Sequence, residues 1–297
     1  MIVFRPMQPK SDAFACGKLI LSGEHSVVYG HPAIALPLSR GVHVSLERYD
    51  GPTNMCDADE KTMQGLLSIL PPEGLRVSMT STLPIGRGMG SSAAFAVACL
   101  RALATMCHEE LSFESTFARA FAMERVFHGN PSGVDHAVSA SQKTIYFKKE
   151  HEGHEIKPMT TPPLHLVVMD TGVTGDTGRM VAKVRSKMSK NLSIINEIGS
   201  TTESIYALLN SQELSLETLG QMVLHNHDLL DKIGVSTPAL NQLVQLAMTA
   251  GAYGAKLAGS GGGGVAFALV SDPEPVLDAV KGHCFDAFSV QTSLEQK

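Results

Sequence analysis

No uninterrupted apolar run in the 297-residue chain reaches the ~18 residues that a membrane-spanning helix needs. The five cysteines (Cys16, Cys56, Cys99, Cys107 and Cys284) are odd in number and contain no Cys-x-x-Cys pair, which argues against a disulfide framework and against a cysteine zinc site. The first residues, MIVFRPMQPK, lack the apolar core of a signal peptide, and the last, SLEQK, match no retention or peroxisomal address. A reducing cytosol is the compartment these absences predict. Basic residues are outnumbered, 24 to 29, for a net charge of −5, which argues against sequence-independent nucleic-acid binding, since that needs a clustered basic surface. The Walker pattern GxxxxGK[ST] occurs nowhere, so the chain is not a P-loop NTPase. Charge is sparse at 18% against 43% hydrophobic residues, the balance of a well-buried globular protein. At roughly 150 residues per domain, the length predicts about two domains.

Glycine is what the chain has in excess, and it is clustered. Gly86, Gly88 and Gly90 lie within five residues, and seven of the 27 glycines fall between Gly251 and Gly264. Around these clusters, apolar periodicity predicts strands over 14–21, 42–48 and 75–82, a short helix over 59–70, and a helix over 92–107 that is apolar almost all round. A further helix is predicted over 112–127, stopped by His128-Gly129-Asn130-Pro131, with Asn130 and Pro131 as cap and first position of the next. Residues 144–148 and 154–159 read as a hairpin, and the Pro-rich stretch 158–163 as the domain boundary, giving halves 1–162 and 163–297. A strand at 164–170, helices at 177–197, 202–210, 216–232 and 238–250, and strands at 253–258 and 264–270 complete an α+β pattern.

Three constellations carry chemistry. In the first, Gly86, Arg87, Gly88, Met89, Gly90, Ser91 and Ser92 join a strand to the apolar helix, leaving bare N–H donors at a helix amino terminus where an anion is favoured. A phosphate cradle is the sharp reading, with Arg87 supplying charge; a tight turn is the plain one. A dinucleotide site, fitting GxGxxA over 88–93, lacks the second strand that would carry its ribose-binding acid. In the second, Glu124 and Asp135 flank the Gly-Asn-Pro break, so that one carboxylate can ligate a cation while the other handles a hydroxyl proton. The alternative is ordinary: Glu124 paired within its helix and Asp135 exposed. The third, running from Lys256 to Gly264, is either a hairpin loop or a place of close backbone approach.

The segments GKLILSGEHSVVYG (17–30), PIGRGMGSSAA (84–94), HGNPSGVDH (128–136) and KLAGSGGGG (256–264) occur in this order over nearly the whole chain. Together they resemble the GHMP kinases (galacto-, homoserine, mevalonate and phosphomevalonate kinases), and within them the mevalonate kinase branch. The resemblance implies a two-domain GHMP kinase fold with a ribosomal-S5-like amino-terminal ATP-binding domain and a ferredoxin-like carboxy-terminal domain. It implies ATP and Mg²⁺ as cofactors, mevalonate as small-molecule partner, and a homodimer. Carried over by residue, Gly86 to Ser91 match the phosphate loop, Ser92 and Glu124 the Mg²⁺ ligands, Asp135 the catalytic base, and Lys18 its basic partner. Glu24, His25 and Thr177 match the substrate side, and Gly259, Ser260, Gly261 and Gly262 a loop supporting the phosphate loop. Ala258 and Ser260 depart from the family's more frequent Thr and Ala, and Arg87 from a smaller residue. The implied reaction is ATP-dependent phosphorylation of the C5 hydroxyl of mevalonate; another GHMP small-molecule kinase, acting on phosphomevalonate or homoserine, is the alternative.

Three features are set aside. His151-Glu152-Gly153-His154 is one residue short of HExxH, and His225 and His227, two apart on a helix, cannot share a face. The basic run Arg179, Lys183, Arg185, Lys187 and Lys190 reads as a solvated face, with Arg179 the one nearest Thr177.

Overall fold

The computed structural model describes residues 8–84, 86–128, 132–150 and 153–292. Ten strands and nine α-helices lie among them: β1 (Lys10–Ser22), β2 (Pro32–Pro52), β3 (Asn54–Met55), α1 (Glu60–Leu67), β4 (Glu73–Ser81), α2 (Ser91–Cys107), α3 (Phe113–His128), α4 (Val134–Ser141), β5 (Thr144–Glu150), β6 (Gly153–Met159), β7 (His165–Asp170), α5 (Thr177–Ser186), α6 (Met188–Leu209), α7 (Leu216–Lys232), α8 (Pro238–Thr249), β8 (Gly254–Ala258), β9 (Val265–Val270), α9 (Glu274–Val280) and β10 (Asp286–Gln291). The expected α+β class is what the chain adopts. It divides into two compact units that interleave in sequence, the first made of 1–17, 40–84 and 90–142 and the second of 18–39, 85–89 and 143–297.

In the first unit, β2 pairs antiparallel with β4 from Val42 opposite Ser81 to Arg48 opposite Leu75, and β3 adds in parallel to β4. Val42, Val44 and Leu46 alternate with outward residues, so one face of this sheet is apolar and buried. That face packs with α2, whose Ala94 to Leu100 are all buried, which is why the sequence there shows no polar stripe. Helices α3 and α4 pack against α2, and α1 against α3. Asp59 caps α1 by accepting the Thr62 N–H at 2.7 Å. The expected Asn130–Pro131 helix start lies outside the described residues; within them, α4 begins at Val134 behind Gly133.

In the second unit, Pro32–Ala35 of β2 pair with β5, and β5 and β6 form the expected hairpin with Thr144 opposite Met159. The turn residues His151 and Glu152 lie outside the described residues, and His154 sits on β6. The sheet β10-β7-β9-β8 is antiparallel throughout. Counted from β7, its order is 4-1-3-2, the ferredoxin-like arrangement that the resemblance implied. Its strands β8 and β9 are wholly buried, and α7 and α8 pack on β8.

One helix boundary differs from expectation. The predicted helices 177–197 and 202–210 are instead cut at Lys187, into α5 and an unbroken α6. In the structure, α6 buries Ile195, Ile198, Thr202, Ile205 and Leu209 in one stripe, and a Cβ at Gly199 would lie 2.2 Å from His31 Nδ1. The glycine serves close packing inside the helix, not its end. The first half of β2, strands β3 and β10, and helix α9 have no counterpart in the sequence reading.

Candidate active site

In the first unit, α2 starts at Ser91 behind Gly90, which adopts φ 72° and ψ 28°. No acidic residue stands in its first turn and no side chain caps it, so its leading N–H groups are available to an anion. Ser92 Oγ donates a hydrogen bond to Glu124 Oε1 on α3, and Glu124 is buried. The pair presents two hard oxygen donors at a helix amino terminus, a set that fits Mg²⁺, which takes few protein ligands and shares the rest with water and phosphate. No group of three His, Cys, Asp or Glu able to hold a metal exists among the described residues. Asp135 lies half-buried in the first turn of α4.

In the second unit, Lys18 lies on β1, buried, with Nζ donating to Gly88 O at 3.0 Å and its own N–H to Met89 O at 2.9 Å. Gly86 and Gly88 both have positive φ, 73° and 78°. Arg87 does not project from the loop as a free charge. Its Nε donates to Asp170 Oδ2 at 2.9 Å and its Nη1 to Thr174 Oγ1 at 2.9 Å. Neither partner was foreseen; Asp170 carries no sequence signal beyond closing strand β7.

The larger glycine cluster meets this loop within the same unit. A Cβ at Gly264 would lie 3.3 Å from Arg87 O, and one at Gly259 3.9 Å from Gly88 O. Gly261, at φ 76°, has no room for a side chain, since a Cβ would stand 2.1 Å from Val235 O. Main-chain bonds from Gly262 N to Val235 O (2.8 Å) and from Gly264 N to Val173 O (2.6 Å) fix the loop. Ser260 is its polar member: its hydroxyl shares a 3.0 Å hydrogen bond with Thr177 Oγ1, and its carbonyl accepts from His25 Nε2 at 3.0 Å. Thr177 opens α5 behind the Asp176 cap.

Glu24 and His25 are both buried. Burial pushes the Glu24 carboxyl up, opposed by the Lys256 ammonium, which forms an ion pair with Glu24 Oε1. Burial likewise lowers Lys256 and His25. Lys256 heads a motif recognised in the sequence, yet its pairing with Glu24 could not be read there. His225 and His227 part company as expected, the first on the surface beside Glu197 and the second buried and accepting the Leu257 N–H. Arg179, Lys183, Arg185, Lys187 and Lys190 are all exposed.

Comparison with known proteins identifies the family. Residues 58–143 match the GHMP kinases N terminal domain and residues 204–285 the GHMP kinases C terminal domain. The mevalonate kinase of Pyrococcus horikoshii is 34% identical over 86% of this chain and 88% of its own length. That of Pyrococcus abyssi is 35% identical over the same shares. The crystal structure of L. major mevalonate kinase in complex with R-mevalonate superposes with a TM-score of 0.89 and 26% identity, covering 99% of this chain and 100% of the other. The chain belongs to the GHMP kinase family, in its mevalonate kinase branch.

Proposed function

We propose that the protein transfers the γ-phosphoryl group of ATP to the C5 hydroxyl of mevalonate, giving 5-phosphomevalonate for isoprenoid precursor synthesis. What carries this reading is similarity to mevalonate kinases along nearly the whole chain, joined to the presence of Lys18, Ser92, Glu124 and Asp135. The alternative acceptors, phosphomevalonate and homoserine, gain no support from these relatives.

Phosphoryl transfer asks little covalent chemistry of a protein, so positioning and charge neutralisation dominate. The C5 oxygen bonds to the γ-phosphorus, the bond from that phosphorus to the ADP oxygen breaks, and the hydroxyl proton passes to Asp135. Gly86 to Ser91 cradle the phosphates through main-chain N–H groups, with the α2 dipole favouring the anion. Lys18 offsets charge on the reacting oxygens. Ser92 and Glu124 would hold Mg²⁺, which when bound would neutralise phosphate charge. Glu24, His25 and Thr177 are assigned to the acceptor side, and the 259–262 loop to support of the phosphate loop.

Residues 1–162 are assigned as the ATP-binding half and 163–297 as the carboxy-terminal half; the two matched family segments fall wholly within one half each. The five cysteines stand as free thiols, and no helix among the described residues is long and apolar enough to cross a membrane; both support a cytosolic placement. Assembly as a homodimer rests on the family alone and is read by sedimentation. The test of the function is Mg²⁺-dependent ATP turnover with mevalonate, phosphomevalonate, homoserine and galactose. Turnover with mevalonate is expected, and activity confined to a rival acceptor would overturn the reading.

A further inference from the structure

His25 occupies a backbone conformation that a non-glycine residue rarely adopts. Its φ is 63° and its ψ −45°, and the Ser26 N–H bonds back to the Glu24 carbonyl at 2.7 Å. This is a γ-turn of the strained, positive-φ kind. Such a turn persists only where its surroundings over-determine it.

Here the surroundings are two cross-links on neighbouring residues. The Glu24 carboxylate is tied to Lys256 on β8, and the His25 ring to the Ser260 carbonyl four residues farther along. Lys256 is itself fully buried, with Nζ also donating to Leu257 O at 2.7 Å and standing 5.4 Å over the Phe267 ring. The second carboxylate oxygen of Glu24 is covered and has no hydrogen-bond partner. Glu24 is therefore poorly placed to meet a substrate, while its ion pair is well placed to fix the backbone of the adjoining His25. A buried ion pair is a weak source of net stability and is better explained by the geometry it specifies.

We propose that Lys256 is a positioning residue for the acceptor substrate: it clamps Glu24, and through Glu24 holds the strained turn that sets the His25 imidazole. This rests on the acceptor reading above and refines it. Lys256 and Glu24 act as one unit, and neither touches mevalonate.

The experiment is steady-state kinetics on purified wild type, Lys256→Met, Glu24→Gln and the double variant, with melting curves for each. Each single variant is expected to raise the KM for mevalonate tenfold or more while the KM for ATP stays within twofold. The double variant is expected to be no worse than the poorer single variant by more than twofold, since one clamp is lost once. Lys256→Met leaves a buried carboxylate unpaired and can fail to fold. The double variant buries no lone charge, and it alone must then show the raised mevalonate KM. An unchanged mevalonate KM, an equal rise for ATP, or fully additive losses would overturn the proposal. A wild type inert toward mevalonate would instead overturn the functional reading, and this inference with it.

Discussion

Arg87 and Asp170 are 83 residues apart in sequence and 2.9 Å apart in space, Nε to Oδ2. The Asp170 side chain is 1% exposed and that of Arg87 14%, so the pair is shielded from water on both sides. Asp170 Oδ1 also accepts the Gly172 N–H at 2.8 Å. Arg87 thus works as a tether that fastens the loop containing Gly86 and Gly88 to the end of β7.

Removing Arg87 leaves the buried Asp170 carboxylate without its cation. Breaking such a pair from one side costs ~3–5 kcal/mol, and each kcal/mol moves the melting temperature of a chain of comparable size by about 2–4 °C. Arg87→Met is expected to melt roughly 10 °C lower and to raise the KM for ATP, whereas Arg87→Met with Asp170→Asn recovers much of the loss in melting temperature. Calorimetry and ATP titration check both, and a melting curve unmoved by Arg87→Met would remove the tether.

Asp135→Asn and Lys18→Met should each lower kcat by about 10²-fold or more, the usual size of an acid–base contribution. Far-ultraviolet dichroism should be unchanged for Asp135→Asn, because Asp135 is only half-buried at the start of α4. Near wild-type turnover in purified Asp135→Asn would remove the base assignment.

Glu124→Gln keeps an oxygen able to accept from Ser92 but loses the charge that a hard cation prefers. The Mg²⁺ concentration for half-maximal activity should rise about tenfold or more, with the melting temperature nearly unchanged. A Mg²⁺ titration that superimposes on that of the wild type would take Glu124 out of the metal shell.

His227 is held neutral. Its Nδ1 accepts the Leu257 N–H at 3.2 Å, and burial, with Lys256 adding, lowers its pKa below the ordinary imidazole value. As pH falls through ~6.5 the unfolded ring binds a proton before the folded one does, so stability is lost on acidification until the folded ring also titrates. His25 and His154 shift in the same direction, and the slopes add. His227→Asn, whose side-chain oxygen can still accept from Leu257, should flatten the fall in melting temperature between pH 7.5 and 5.5. Curves that run parallel for the two proteins would show that His227 does not contribute.

Much of this protein was legible from local pattern. The nearly all-round apolar character of α2 announced a buried helix, and the alternation in β2 a half-buried strand, because burial imposes those patterns on neighbouring residues. The glycine clusters marked where backbone must come close or take positive φ, and Gly261 and Gly264 bear this out against Val235 and Arg87. The gap expected between 197 and 202 is absent, since α6 runs through it with Gly199 packed against His31, a contact with no trace in the residues around it.

Sequence by itself determined the family motifs, their order and the backbone they require, since φ preference and N–H supply are properties of a residue and its immediate neighbours. Only the tertiary structure decided which charges meet. Arg87 of the phosphate loop is held by Asp170, and Glu24 by Lys256, 232 residues away in sequence. The physical reason is that an ion pair is worth having only when folding brings both partners out of water together, and no short stretch of chain records where its distant partner will be.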